Sequence, residues 1–169
     1  LATGSTNGTL LVWDTLSGTL LHDLEESKSN ISRLAFSPAG QELVSATKTG
    51  IIQVWDPSSG ELLKALDGFG TPQTMVTFSP DGSLLASGSG NFKLALIRKM
   101  KDGSLINSFE VLTGDPNSLR FLSGDSLAAS GSQSYKTLLT WSEKEDRLGM
   151  LEEDFIIHST ILSPDGSTV

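Results

Sequence analysis

The chain repeats itself at a step of about 42 residues, and this period limits the possible folds more than any other feature. Three independent columns of apolar residues share the step. The first column has steps of 42, 42 and 44 and contains Trp13, Trp55, Ile97 and Trp141. The second has steps of 42, 43 and 41 and contains Phe36, Phe78, Phe121 and Leu162. The third has steps of 42, 43 and 43 and contains Leu20, Leu62, Leu105 and Leu148. Agreement of three columns indicates an array of one repeated supersecondary unit.

Each repeat divides into four short runs of strand type, separated by residues that favour turns. In the second repeat the runs cover 31–36, 42–46, 51–55 and 61–66. Connections this short join antiparallel neighbours, because a parallel crossover needs about a dozen residues. Each repeat is therefore predicted to be a four-stranded antiparallel meander. Glycine breaks the runs too often for the helices of a helical solenoid.

Several runs, such as 10–13 and 84–86, are apolar at consecutive positions, which is typical of strands that are covered on both faces. Small residues recur in the second strand of a repeat, at 2–5, 86–89 and 129–132, and indicate that neighbouring sheets approach closely there. Repeated four-stranded sheets that bury both faces predict an all-β fold of β-propeller type.

The sequence predicts sixteen strands, which is the number in four blades. The chain is expected to begin and end within a blade rather than between two blades. The predicted divisions are a partial blade at 1–24, blades at 31–67, 74–111 and 117–152, and the start of another at 156–169. An arc of a longer propeller is expected, and a closed four-bladed ring is the alternative. An open arc would expose two lateral blade faces, so we expect the isolated chain to self-associate unless it closes.

The repeated motifs resemble those of the WD-repeat β-propellers along the whole chain. They are Val-Trp-Asp at 12–14 and 54–56, Phe-Ser-Pro at 36–38 and 78–80, Ser-Pro-Asp-Gly at 79–82 and 163–166, and Leu-Ala-Ser-Gly-Ser at 85–89. Such proteins usually close with about seven blades, which implies further blades in a parent chain. The resemblance also implies structural roles for Trp13, Asp14, Trp55, Asp56, Trp141, Phe36, Phe78 and Phe121.

The departures from the family pattern are equally informative. Family repeats often carry Gly-His before the first strand, and its imidazole joins a hydrogen-bond chain through a turn Asp and a Ser or Thr to the Trp. Here no repeat has that histidine, and the turn Asp is replaced by Asn7, Thr49 and Asn91. The third repeat has Ile97-Arg98 in place of Trp-Asp. We therefore expect stability from packing and turns rather than from that polar chain.

Charge and composition exclude several classes of protein. The chain has 12 Lys and Arg against 20 Asp and Glu, a net charge of −8, and no basic stripe, which argues against nucleic acid as a partner. No apolar stretch reaches the roughly 18 residues of a membrane span, and no secretory leader opens the chain. Cysteine is absent. These features favour an intracellular, cytoplasmic location.

Residues suited to catalysis are few. The histidines His22 and His158 have no spacing suited to a metal, and no serine lies in a Gly-x-Ser-x-Gly elbow. The acidic run 152–154 lacks the spacing of a calcium loop and is better explained as a solvated loop. We predict no catalytic residue, no metal and no cofactor. A propeller-fold enzyme is the alternative.

Binding is better supported, because two aromatic-lysine pairs occupy equivalent second-turn positions 43 residues apart. These are Phe92-Lys93 and Tyr135-Lys136, and Phe69 stands where the family histidine would be. Aromatic residues are enriched in protein interfaces, so these five residues are the predicted interaction site. Ordinary sequence drift, with rings tucked against their own loops, is the competing interpretation. The basic run 98–101 is predicted to lie in the third turn of its blade, on the opposite rim, as a contact for an acidic partner or as a solvated loop.

These observations together favour a non-catalytic scaffold for protein–protein interaction within a larger WD-repeat protein. The partners would be proteins met at a rim. A second interpretation rests on resemblance alone: the regular repeats look like those of nucleotide-binding signalling proteins of fungi and bacteria, whose propeller is thought to sense a ligand.

Overall fold

The computed structural model describes residues 1–24, 29–89, 94–110, 118–121, 126–130, 137–142 and 147–152. Every regular element in these ranges is a β-strand. The strands are β1 Ala2–Gly4, β2 Leu10–Trp13, β3 Leu20–Asp23, β4 Ile31–Phe36, β5 Leu43–Thr47, β6 Ile51–Trp55, β7 Leu62–Asp67, β8 Met75–Phe78, β9 Leu84–Ser89, β10 Leu94–Lys99, β11 Leu105–Glu110, β12 Ser118–Phe121, β13 Ser126–Ser130, β14 Thr137–Ser142 and β15 Arg147–Glu152.

The strands form four sheets in which sequential strands are hydrogen-bonded neighbours. The first sheet contains β1 to β3, and the other three contain β4 to β7, β8 to β11 and β12 to β15. All pairings are antiparallel, which confirms the predicted four-stranded meander. The chain divides into two compact units, of which the first is Leu1–Val76 and the second begins at Thr77.

Burial changes across a sheet as the sequence pattern requires. In the second sheet, all five residues of β5 are buried, whereas exposed and less exposed residues alternate along most of β7. A strand between two neighbours, covered on both faces, tolerates a continuous apolar run, and an outer strand shows alternation. β5 and β7 each lie one residue later than expected from the sequence.

The core of the first unit lies between its two sheets, and β1 lies against β4. The buried members of this core are Leu10, Val12, Leu24, Ile31, Leu43 and Trp55. The sheets approach so closely that a Cβ on Gly4 would lie 2.6 Å from Cγ2 of Ile31. This contact accounts for a small residue in the second strand of the repeat.

The third and fourth strands of the repeat share one irregularity. The register shifts at Val12/Trp13 in the first sheet and at Val54/Trp55 in the second. The shift leaves one extra residue on the outer strand, which is Leu21 in β3 and Leu63 in β7. Such bulges are common at sheet edges. Leu21 and Leu63 are therefore equivalent positions, 42 residues apart.

The third sheet differs from the second in the register of its middle hairpin, which is β9–β10 in the third sheet and β5–β6 in the second. Trp55 pairs with Leu43, but Ile97, the equivalent of Trp55, pairs with Ala86 rather than with Leu85. The β5–β6 turn contains Gly50 with φ +88°. The sequence has Phe92 at the equivalent position, and a bulky side chain disfavours that conformation. A change of turn type would alter the hairpin register.

Candidate functional site

Part of the polar chain expected to be lost is present in the first unit. The indole Nε1 of Trp13 donates to Oγ1 of Thr3 at 2.9 Å, and Nε1 of Trp55 donates to Oγ of Ser45 at 3.0 Å. In both sheets the hydroxyl lies ten residues before the tryptophan. The expectation that packing and turns alone replace the polar chain is therefore wrong for these two repeats.

The other two sheets lack this hydrogen bond. In the third sheet Ile97 replaces the tryptophan, and by register Gly88 stands at the hydroxyl position. Ser87 pairs with Leu96 instead, and its buried hydroxyl has no partner among the described residues. In the fourth sheet Trp141 is buried and its Nε1 has no acceptor in the described ranges. By register, Ala129 stands at the hydroxyl position there.

Hydroxyl groups occupy the turn where the family has its aspartate. Oγ1 of Thr47 lies 3.0 Å from Oγ1 of Thr49, which lies 2.9 Å from Oγ of Ser29. Thr47 Oγ1 also donates to the Ile51 carbonyl at 2.9 Å and accepts from its amide at 3.0 Å. These neutral hydrogen bonds close the β5–β6 turn without a carboxylate.

The aspartates of the Trp-Asp motifs cap the turns that follow them. Asp56 Oδ1 accepts from the Ser58 hydroxyl at 2.6 Å and from the Ser58 amide at 2.7 Å. These two bonds hold the pKa of Asp56 below its ordinary value, because they stabilise the charged form. Asp14 accepts from the amide and the hydroxyl of Ser17, and its pKa is lowered for the same reason.

Turns of the second unit use the same chemistry. The Ser79 hydroxyl donates to Asp81 Oδ1 at 2.6 Å, and this bond is the main cause of the lowered pKa of Asp81. The pKa of Asp102 is lowered mainly by hydrogen bonds from Ser104. These carboxylates accept hydrogen bonds from residues of their own turns, which suits a structural role better than ligand binding.

The first-strand aromatics differ in exposure. Phe78 and Phe121 are buried, whereas Phe36 is 41% exposed in the described chain. A buried aromatic column is therefore found in two of the three described repeats.

The loop that follows β7 presents Phe69, the one predicted interaction residue that lies within the described ranges. Its base is held by Gln73, which is completely buried and whose Nε2 donates to the carbonyls of Gly68 and Thr71 at 3.1 and 2.9 Å. The Gly68 amide donates to the Gly50 carbonyl at 2.7 Å, and the Gln73 amide donates to the Thr47 carbonyl at 3.1 Å. The loop is thereby fixed to the β5–β6 turn.

Phe69 itself has a left-handed backbone, with φ 57°. This conformation is unfavourable for a residue with a bulky side chain and persists only where the surroundings impose it. The amide of Phe69 donates to Oδ1 of Asp67 at 2.7 Å, and its side chain is 52% exposed. A strained backbone thus holds an aromatic side chain toward solvent.

The remaining predicted interaction residues, Phe92, Lys93, Tyr135 and Lys136, lie outside the described residues.

The basic run 98–101 is not wholly a turn, as its sequence suggested. Arg98 and Lys99 end β10, and Arg98 is buried with Nη1 donating to the Gly103 carbonyl at 3.1 Å. Met100 is buried too, so Lys99 and Lys101 are the exposed cations of the run. A guanidinium used to bind a backbone carbonyl within its own blade contributes little to a basic contact surface.

The described ranges contain neither a cluster of metal ligands nor a membrane-spanning helix. These ranges hold no group of three or more His, Asp or Glu side chains placed to bind a metal ion. His22 instead uses Nε2 to contact the Ser58 carbonyl at 2.9 Å. Among the residues that the structure describes, no helix has the length and apolar character needed to cross a bilayer.

Sequence reasoning missed two kinds of residue. Gln73 was not predicted because glutamine is usually exposed, and no pattern marks a buried one. The hydroxyls of Thr3 and Ser45 carried a usable signal, since each stands ten residues before a tryptophan of the repeat column.

Comparison with known proteins agrees with this architecture. The profile of the family described as "WD domain, G-beta repeat" matches residues 18–56 and 60–96. The chain is similar in fold to a chain from the crystal structure of a mitotic checkpoint complex, with a TM-score of 0.79 and 21% identity. The alignment covers 98% of this chain and 55% of the other, so this chain spans about half of that neighbour. No curated protein sequence matches the chain. Residues 18–56 and 60–96 are thus WD40 repeats, and the four-stranded antiparallel sheets have the fold of β-propeller blades.

Proposed function

We propose that the chain is a non-catalytic module for protein–protein interaction, and that the loop 67–73 is part of its binding surface. WD40 propellers generally serve as interaction scaffolds, which supports the class of function. The specific proposal rests on Phe69. Its side chain is exposed, and its backbone has a left-handed conformation that is unfavourable for a bulky residue.

The loop has the properties of a preformed contact. Gln73 and Gly68 fix its base to the β5–β6 turn, so little conformational entropy is lost when a partner covers the ring. Exposed aromatic anchors on rigid supports contribute much of the affinity in protein interfaces. Phe92, Lys93, Tyr135 and Lys136 remain proposed interaction residues on the basis of the sequence.

Two variants of Phe69 separate a binding role from a structural one. Phe69→Gly relieves the backbone strain, so we expect a higher melting temperature together with weaker partner binding. Phe69→Ala keeps the strain and removes the ring, so it weakens binding without raising the melting temperature. A structural ring would give the opposite result for Phe69→Gly, which would then melt at a lower temperature.

Photocrosslinking tests the same proposal and identifies the partner. A benzophenone analogue of phenylalanine at position 69 should give a discrete crosslinked protein, and the same analogue at Leu63 is the matched control. Crosslinking that is equal from both positions, or partner capture unchanged by Phe69→Ala and by the double variant Phe92→Ala/Tyr135→Ala, would refute the proposed surface.

A further inference from the structure

A carboxylate is held beside the exposed ring of Phe69. Asp67 is the last residue of β7 and is exposed, and its Oδ1 accepts the Phe69 amide at 2.7 Å. Because this bond joins residues two apart in one turn, it fixes the position of the carboxylate relative to the ring. A Cβ on the next residue, Gly70, would meet no atom within 4 Å beyond its chain neighbours. The tip of the loop is therefore open to a partner.

An apolar side chain lies next to this carboxylate on the neighbouring strand. Ile51 of β6 pairs directly with Asp67, and the side chains of such a pair share one face of the sheet, with Cβ atoms about 4.5–5.5 Å apart. Ile51 is 45% exposed, and the first sheet packs against the second in the structure, so this exposure is present with that neighbour in place. The name loop corner is used below for Ile51, Asp67 and Phe69.

The loop corner combines the three groups that a guanidinium side chain uses. A guanidinium donates two parallel hydrogen bonds to a carboxylate and stacks on the face of an aromatic ring. Its methylene stem packs along apolar surface. An ammonium group is a compact and strongly hydrated point charge, so lysine uses the ring and the carboxylate less well. The net charge of −8 also attracts a cationic segment toward the chain.

We propose that the loop corner binds an arginine of the partner protein, an inference that rests on the proposed function of the loop 67–73. The guanidinium donates to Asp67 and stacks on the ring of Phe69, and the methylene stem covers Ile51. Lys48, the one charged residue of the β5–β6 turn, would repel this arginine. Lys48 therefore tests the sign of the charge that binds.

The test uses the full chain and the labelled peptide Gly-Ser-Arg-Gly-Ser-Arg-Gly, with binding measured by fluorescence polarisation. Two control peptides have the same length: one with citrulline, the uncharged analogue of arginine, and one with lysine in place of arginine. We expect the arginine peptide to bind about tenfold more tightly than the citrulline peptide and about threefold more tightly than the lysine peptide. Its affinity should fall as salt rises.

Variants of the chain locate the binding. Asp67→Asn keeps an oxygen that accepts the Phe69 amide but removes the charge, and it should weaken the arginine peptide by about tenfold. Phe69→Leu keeps an apolar side chain but removes the ring, so the preference for arginine over lysine should disappear. Lys48→Gln should leave the affinity unchanged or raise it. Glu61→Gln, which removes another exposed carboxylate of the same sheet, is the matched control and should have no effect. Thermal unfolding establishes that each variant is folded.

Several results would overturn the proposal. Equal binding of the lysine peptide would mean that any cation suffices, and equal weakening by Asp67→Asn and Glu61→Gln would mean that the position of the carboxylate does not matter. Weaker binding after Lys48→Gln would mean that the surface attracts an anion. Absence of measurable binding at about 1 mM peptide would refute the site outright.

The partner itself separates this inference from the proposed function. Crosslinking at position 69 that persists, with partner capture unaffected by Asp67→Asn, would remove the arginine but keep the binding surface. Capture that is unaffected by Phe69→Ala would remove the surface, and the arginine site with it.

Discussion

At the scale of single residues, the four sheets differ in one hydrogen bond, which joins a tryptophan indole to a hydroxyl group. The first two sheets have both the indole donor and the hydroxyl acceptor, the third has neither at these positions, and the fourth has the indole alone. A buried polar group without a partner costs more than a hydrogen bond gains, so the buried indole of Trp141 and the separate buried hydroxyl of Ser87 are both unfavourable.

Two buried serines, Ser45 and Ser87, should therefore respond oppositely to alanine. Ser45→Ala leaves the indole of Trp55 without an acceptor, and we expect a loss of about 1–3 kcal/mol in the free energy of unfolding. Ser87→Ala removes a hydroxyl that already lacks a partner, so the free energy of unfolding should stay the same or rise by about 1 kcal/mol. Urea unfolding measures both. Equal destabilisation by the two variants would contradict this account.

The turn carboxylates should make stability depend on pH in the acid range. The pKa of Asp56 is lowered from 3.8 in the folded chain by its bonds from Ser58. Its contribution to stability is therefore fully present well above pH 3.8 and is lost as the pH falls through the folded pKa.

Asp56→Asn tests this titration, since the amide oxygen still accepts from the Ser58 amide while the charge is removed. We expect the urea midpoint of this variant to fall less steeply than that of the wild type as the pH is lowered from neutrality to about 3. Parallel curves for the two proteins would show that Asp56 does not contribute to acid sensitivity. The exposed carboxylate of Glu61 provides a control as Glu61→Gln.

At the scale of elements, close approach of strands is the main constraint in the first unit. A Cβ at Gly4 would meet Ile31 at 2.6 Å, so Gly4→Ala must push β1 away from β4. We expect Gly4→Ala to lower the free energy of unfolding by about 1–3 kcal/mol. Thermal unfolding measures the loss, with Thr6→Ala in the following exposed turn as the control. An unchanged melting temperature would mean that β1 moves freely against β4.

The elements were largely predictable, because strand period and turn chemistry are local properties of the sequence. β4 and β6 have their expected bounds, and β5 and β7 are displaced by a single residue. The register of β9 with β10 was not predictable from the repeat, because Ile97 pairs with Ala86 and not with Leu85, the repeat equivalent of Leu43.

The loop that presents Phe69 was only partly predictable. Its position in the repeat marked it as a replacement for the family histidine, but its left-handed backbone depends on tertiary contacts made by Gln73 and Gly50.

At the scale of the whole molecule, the two compact units differ in how well their buried polar groups are satisfied. In the described ranges the first unit has one such buried atom without a partner, Oε1 of Gln73, whereas the second unit has them on Ser87, Ser89 and Trp141. The second unit should therefore open more readily than the first.

Amide hydrogen exchange under native conditions measures this difference. We expect slower exchange in β5 and β6 than in β13 and β14. Ala129→Ser places an acceptor at the position that Ser45 occupies beside Trp55, and it should slow exchange in β13 and β14 selectively. Equal protection in both units, or no response to Ala129→Ser, would contradict the proposed difference in stability.

The loop 67–73, which hydrogen bonds fix to the β5–β6 turn, also has a consequence for proteolysis. Chymotrypsin prefers to cut after large aromatic residues, and Phe69 exposes such a side chain. A protease requires an extended backbone, however, and the bonds made by Gln73 and Gly68 prevent the loop from extending. Cleavage after Phe69 therefore has to wait for local opening of the loop. The rate of that single cut reports how often the proposed binding surface opens.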